Sequence, residues 1–367
     1  MRIIQAEDLK DLATGAAVLG TGGGGDPYIG SLMAQQAIRR RGPVKLISVD
    51  ELADDALVVP AAMMGAPTVM VEKLPQGDEL TLAFRKLEAF LGRKIDAVLC
   101  AEAGGLNSTT PVVVAAETGL PLVDGDGMGR AFPELQMESF TLHGVQATPM
   151  VMTDDKGNSV VLNTVNNRWT ERLARAATIE MGGSALIALY AMDGATAKRA
   201  VIRGTVGQAI DIGRALREAH TRNQDGVAAV RDHLNAFHLF DGKIVDVSRR
   251  TVGGFARGKA ELEGLDDFAG QRLTIEFQNE FLVARTPDRV LASTPDLITA
   301  LDMDEGSPIT TESLRFGFRI AVLGIPCDPQ WRTPAGLELV GPGYFGYDIP
   351  FVPVETLAAQ DQAAARS

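Results

Sequence analysis

Between residues 44 and 123 the chain alternates short apolar runs with stretches of helical periodicity. Residues 44–49 read as a strand, 50–54 as a helical turn, and 56–64 (ALVVPAAMM) as a strand. Residues 78–91 then read as an amphipathic helix, 95–100 as a strand, 108–118 as a helix capped by Ser108, and 120–123 as a strand. Parallel strands need long crossovers, and helices fill them, so this alternation predicts a largely parallel sheet covered on both faces. In such sheets ligands bind beyond the carboxyl ends of the strands. Three consecutive strand ends carry unusual chemistry: MMGAP at 63–67, AEAGGLN at 101–107 and DGDGMGR at 124–130. One of these alone is ordinary turn chemistry, but three in succession argue for a site.

Residues 122–134, LVDGDGMGRAFPE, are the densest of the three. Asp124 and Asp126, two apart at a strand end, can aim at one point above the sheet, and Gly125, Gly127 and Gly129 let backbone approach a bound group. Asp124, Asp126 and Glu102 are the candidate general bases. Arg130 offers a permanent cation with a planar fork of donors, suited to a carboxylate. Asn107 and Glu134 are candidate substrate contacts. The competing reading is an Asp-rich turn into a helix with Arg130 as its internal partner.

Upstream, residues 6–19 have apolar positions at helical spacing (Leu9, Leu12, Ala13, Ala16, Ala17). The run GTGGGG follows at 20–25, and Gly20, Gly22 and Gly25 spell a literal GxGxxG. The dinucleotide fingerprint needs a strand before the glycines, and here a helix precedes them, so no nucleotide is expected even with Asp50 at a ribose-like distance. Gly22, Gly23, Gly24 and Gly25 are expected instead to form an anion nest or substrate-covering loop at the start of the helix over 28–40.

Downstream, residues 140–162 read as strands with a turn at 154–158, and residues 166–178 as a helix whose Arg168, Arg172 and Arg175 form a solvated face. A helix is expected over 208–219, and from about residue 237 short alternating stretches separated by turn signals read as an antiparallel sheet or barrel. This predicts an α/β domain over 1–200 and a β-rich, barrel-like domain over 201–367, with the tail at 341–351 returning to the first. A net charge of −12 argues against a nucleic-acid surface. No apolar run approaches the ~20 residues of a membrane span. Two distant cysteines and a charged N-terminus fit a cytoplasmic protein without a disulfide framework or signal peptide. Carboxylate-rich sites suit Mg, Mn or Ca, and zinc usually adds His or Cys. Asp126, His143 and Cys100 are therefore the candidate metal ligands, with Cys100 also a possible nucleophile. There is no GxSxG elbow, Walker loop or HExxH motif.

Taken in order, LGTGGGGDP, AEAGGLNS, GLPLVDGDGMGRAFPELQM, GTVGQAIDIGRAL and GPGYFGYDIPFVP resemble the S-methyl thiohydantoin desulfurase family over nearly the whole chain. The resemblance implies a three-layer α/β/α domain joined to a β-barrel domain. It also implies a hydrolase acting on a thiohydantoin- or hydantoin-like ring, with water displacing methanethiol from an S-methylated ring carbon. A divalent metal, zinc, is implied as cofactor. The implied partners are a small-molecule substrate, further copies of the chain and a hydantoinase/oxoprolinase-type protein; a non-catalytic accessory subunit of such a system is the alternative.

Overall fold

The computed structural model describes residues 1–65, 78–253 and 255–364. The chain divides into two compact units. The first comprises Met1–Ala16, Gly25–Gly129 and Glu134–Ile210; the second comprises Ala17–Gly24, Arg130–Pro133 and Asp211–Ser367.

The first unit contains strands β1 (Arg2–Ile4), β2 (Val44–Ile47), β3 (Leu57–Gly65), β4 (Ala97–Cys100), β5 (Leu122–Val123), β6 (Gly125–Asp126), β7 (Met150–Thr153), β8 (Ser159–Leu162), β9 (Ser184–Ala188), β10 (Met192–Asp193) and β11 (Ile202–Arg203). Its sheet runs β1-β2-β5-β4-β3-β9-β7-β8. The four central strands β2, β5, β4 and β3 are parallel, as expected. The flanking strands are antiparallel: β1 on β2, β9 on β3, β7 on β9 and β8 on β7. Most of β3 is buried, including both neighbours on each side of its pleat, which is why LVVPAAMMG has no polar alternation. Ala66 and Pro67, the end of the first strand-end motif, lie outside the described residues.

The helices of the chain are α1 (Asp8–Leu19), α2 (Pro27–Arg41), α3 (Asp78–Leu91), α4 (Thr110–Thr118), α5 (Ser139–Leu142), α6 (Asn167–Glu180), α7 (Gly194–Ala200), α8 (Thr205–Thr221), α9 (Gly226–Leu234), α10 (Pro334–Val340) and α11 (Val354–Ala364). In α2, Asp26 caps the start by accepting from the Tyr28 amide, Pro27 opens the first turn, and Arg39, Arg40 and Arg41 answer the dipole at the end. Arg40 and Arg41 also grip Glu117 of α4. Helix α4 starts two residues later than expected, because Gly105–Ser108 form a tight 3-10 turn first. Residues 140–142, read from sequence as the start of a strand, instead belong with Ser139 to the short helix α5. The core gathers Val58, Leu99, Val123, Phe140, Met150, Met152 and Tyr190 among others.

The second unit is built on seven antiparallel strands: β12 (Phe237–Val252), β13 (Phe255–Gly264), β14 (Arg272–Gln278), β15 (Glu280–Arg285), β16 (Val290–Ser293), β17 (Leu297–Asp302) and β18 (Arg319–Ile325). They are ordered β16-β15-β14-β13-β12-β18-β17 in a curled sheet, a half-barrel around Phe240, Leu262, Ile275, Phe277 and Phe281. The tail containing Gly341, Tyr344 and Phe345 belongs to this unit, not to the first. Among the described residues no helix is long and apolar enough to cross a membrane.

Candidate active site

In the first unit the ends of β3, β4 and β5–β6 are stitched together by side chains from the sequence motifs. Asn107 clamps the end of β3: its Oδ1 accepts from the Met63 amide at 2.7 Å, and its Nδ2 donates to the Met63 carbonyl at 3.1 Å. The same Nδ2 donates to Glu102 Oε1 at 2.7 Å, which fixes that carboxyl above β4. Asp126, fully buried, accepts from the Ala103 amide at 2.7 Å and from the Gly129 amide at 2.9 and 3.0 Å. The Gly127 amide closes the joint by donating to the Ala101 carbonyl at 3.0 Å. Glu102, Asn107 and Asp126 thus share one rim, as the strand-end pattern predicts.

A fourth residue joins them that the sequence reading missed. Glu138, the residue before α5, is 1% exposed. A Cβ on Gly127 would lie 1.7 Å from its Oε2, so the carboxyl rests on glycine backbone and only glycine leaves it room. That Oε2 is buried without a hydrogen-bond partner among the described residues. Burial pushes the Glu138 carboxyl well above the usual range, with Asp126 and then Glu102 adding to the rise. Asp126 is pushed up by burial and pulled back by amides of Ala103, Gly129 and Met128, settling at about 7. Cys100 lies below these acids, fully buried at the end of β4. Burial and then the charges of Asp126, Asp124, Glu102 and Glu138 raise its thiol well above the ordinary value. It is held as a thiol, which is not a nucleophile.

Asp124 faces a different task. Its Oδ1 accepts from the Gly207 amide at 2.8 Å, in the first turn of α8, where a carboxylate answers the helix dipole. Glu134 accepts from Gln136 Nε2 at 2.5 Å, close to its own position in the chain.

Arg130 corrects the sequence expectation outright. It lies in the second unit, fully buried, and every one of its five N–H donors is used. Nε donates to the Ala131 carbonyl, Nη1 to the carbonyls of Pro295 and Asp296, and Nη2 to Thr21 Oγ1 and the Phe281 carbonyl. Burial pulls its pKa below the ordinary arginine value, and Glu280 supports the charged form. A cation so committed has nothing left for a substrate carboxylate.

The glycine run also belongs to the second unit as far as Gly24, with Gly25 in the first. A Cβ on Gly22 would meet the Phe281 ring at 2.5 Å, and one on Gly23 would meet Glu280 Oε1 at 2.1 Å. The Thr21 carbonyl accepts from the Phe281 amide and the Gly22 carbonyl from the Thr311 amide, both at 2.7 Å. Gly22, Gly24 and Gly25 have φ of 81°, 72° and 74°. Close approach to β15 therefore accounts for Gly22 and Gly23 without an anion.

Models of the S-Me-THD-like N-terminal domain and C-terminal domain match residues 7–164 and 165–354. The chain belongs to the S-Me-THD-like family. It is also similar to a solved protein from Chromobacterium violaceum, with 26% identity and a TM-score of 0.80, over 96% of this chain and 100% of that one. No curated protein matches it.

The zinc implied by likeness to the S-methyl thiohydantoin desulfurases does not fit the donors named for it. Cys100 is buried, Asp126 spends both oxygens on backbone amides, and His143 is exposed on the residue closing α5. Among the described residues no group of three or more His, Cys, Asp or Glu side chains is arranged to hold a metal ion. What the rim of this S-Me-THD-like chain does offer is a set of buried carboxyls, of which Asp126 and Glu138 are both pushed toward the neutral form by burial, the kind of environment that prepares a general acid.

Proposed function

We propose that the chain hydrolyses an S-methylated thiohydantoin-like ring at the Glu102–Asp126–Glu138 rim. The observation that carries this is the cluster of buried acids on one rim, where Glu138 keeps an Oε2 without a hydrogen-bond partner among the described residues. Burial favours the neutral form of Glu138, and the Asn107 amide orients Glu102. In this reading Glu102 takes a proton from water as its oxygen attacks the ring carbon bearing the S-methyl group. The carbon–sulfur bond breaks, and Glu138 gives its proton to the departing sulfur. Methanethiol leaves, the remaining hydroxyl proton passes to the adjacent ring nitrogen as the ring carbon becomes a carbonyl, and the proton held by Glu102 returns to Glu138 by way of solvent. Asp126 acts through Glu138: its partial negative charge, pinned by backbone amides, keeps the Glu138 proton in place.

The test is release of free thiol from S-methyl thiohydantoins by the purified protein. Glu138→Gln, which keeps shape but holds no transferable proton, is expected to lower kcat by 10²- to 10⁴-fold. Because wild-type activity needs Glu138 protonated, its rate should fall at high pH, and the Gln variant should lose that limb. An unchanged rate and pH profile in Glu138→Gln would remove the acid from the reaction. Metal analysis of the same preparations decides whether turnover tracks a bound ion held by residues other than those named here.

One observation favours a second reading, a non-catalytic accessory subunit. Glu102, Asp126 and Glu138 are 7%, 0% and 1% exposed, a degree of closure that a structural acid cluster also has. Ligand-induced stabilisation with no thiol release from any substrate tried would support that reading.

A further inference from the structure

Helix α6 presents two faces. Thr170, Glu171, Ala174 and Thr178 are buried in the first unit. On the opposite side Trp169, Leu173 and Ile179 are 46%, 44% and 66% exposed, and Arg172 and Ala176 are also exposed. Positions 169, 172/173, 176 and 179/180 repeat at the three- and four-residue spacing of a helix–helix seam. Arg172 lies over the Trp169 ring at 5.4 Å, keeping the aromatic face flat. An exposed apolar stripe is the kind of surface that soluble proteins cover.

We propose that a second copy of this chain covers it, through an antiparallel pairing of α6 with its own equivalent. The argument is self-complementarity. The outer face of α6 is basic near its start (Arg172) and acidic at its end (Glu180). A two-fold axis passing at Ala176 sets residues whose numbers sum to 352 against each other. Leu173 then meets Ile179 of the second copy, and Arg172 meets Glu180 of the second copy. Ala176, the smallest side chain of the stripe, falls on the axis, where two helices approach most closely. A parallel pairing would instead put Arg172 against Arg172. The contact is isologous, so it closes at two copies. The helix's 14 residues span about 21 Å, which sets the length of the seam.

The test is the oligomeric state of the full chain by analytical ultracentrifugation between 0.1 and 50 µM. A dimer is expected for the wild type. Leu173→Asp should raise its dissociation constant at least tenfold, while Phe90→Asp on α3, also exposed but outside the proposed seam, should not. Arg172→Glu and Glu180→Arg should each loosen the dimer, and the double swap Arg172→Glu/Glu180→Arg should restore it. Circular dichroism and Tm check that each variant is folded. A wild-type monomer across this range overturns the proposal, as does a dimer indifferent to Leu173→Asp. Failure of the double swap to restore association overturns the antiparallel register. None of these readouts depends on catalysis.

Discussion

Arg130 illustrates how a residue that looks reactive in one dimension can be structural in three. Its guanidinium is a five-pronged strut, reaching four backbone carbonyls and the Thr21 hydroxyl. Arg130→Met keeps most of the volume and removes every donor. It is expected to cost roughly 3–5 kcal/mol, since buried acceptors are left unpaired and Glu280 loses its compensating charge. Urea denaturation measures this, and a loss under about 1 kcal/mol would mean that water replaces the guanidinium. The arginine's partners lie up to 166 positions away in the chain, so nothing in the local pattern DGDGMGR distinguishes a clamp for substrate from a clamp for backbone. Glu138 was hidden for the converse reason: it stands outside the glycine–aspartate run and reaches the rim only because the chain doubles back over Gly127. Asp126, Glu102 and Asn107 were legible because strand ends in a parallel sheet must converge.

At the scale of elements, the rim depends on a side chain acting as a splint between loops. Asn107 holds β3 through Met63 and orients Glu102 with the same amide. Asn107→Ala is expected to lower kcat for thiol release by about tenfold or more while leaving the fold intact, because Glu102 would lose its fixed position. Asn107→Asp, which keeps the acceptor toward the Met63 amide but puts a like charge against Glu102, should do worse at neutral pH. Activity of Asn107→Ala equal to wild type would mean that Glu102 needs no such guide. The strand–helix alternation from β2 to β5 was readable because each crossover leaves a periodic trace. The antiparallel flank β9-β7-β8 was not, since β3 pairs with β9 across 118 intervening positions and no local signal records that partnership. The texture change near residue 237 did mark β12 onward, because antiparallel strands there follow one another through short turns.

At the scale of the molecule, buried acids couple folding to pH. Asp126 rises from 3.8 to about 7 on folding, and Glu138 moves the same way. The native state therefore binds these protons more tightly than the unfolded chain does. The stability they lend is complete below about pH 4 and is lost as pH climbs through about 7, a change on the order of a few kcal/mol. Denaturant midpoints at pH 5, 6, 7 and 8 should fall in that order for the wild type and fall less steeply for Glu138→Gln. Equal slopes in the two proteins would place the pH dependence elsewhere.

The sequence passes from one compact unit to the other after Ala16, Gly24, Gly129, Pro133 and Ile210. The half-barrel unit thereby owns two short pieces from early in the chain, and one of them contributes Arg130. A polypeptide of residues 165–354 alone would lack that strut and the glycine segment that docks on β15. Such a fragment is expected to give the dispersed-to-collapsed amide spectrum of a loosely ordered chain, and regain sharp resonances only when Thr21 and Arg130 are supplied in the same polypeptide. Splicing at any single junction orphans one partner of this interlaced pair, so the two halves are inheritable only together, never as interchangeable modules.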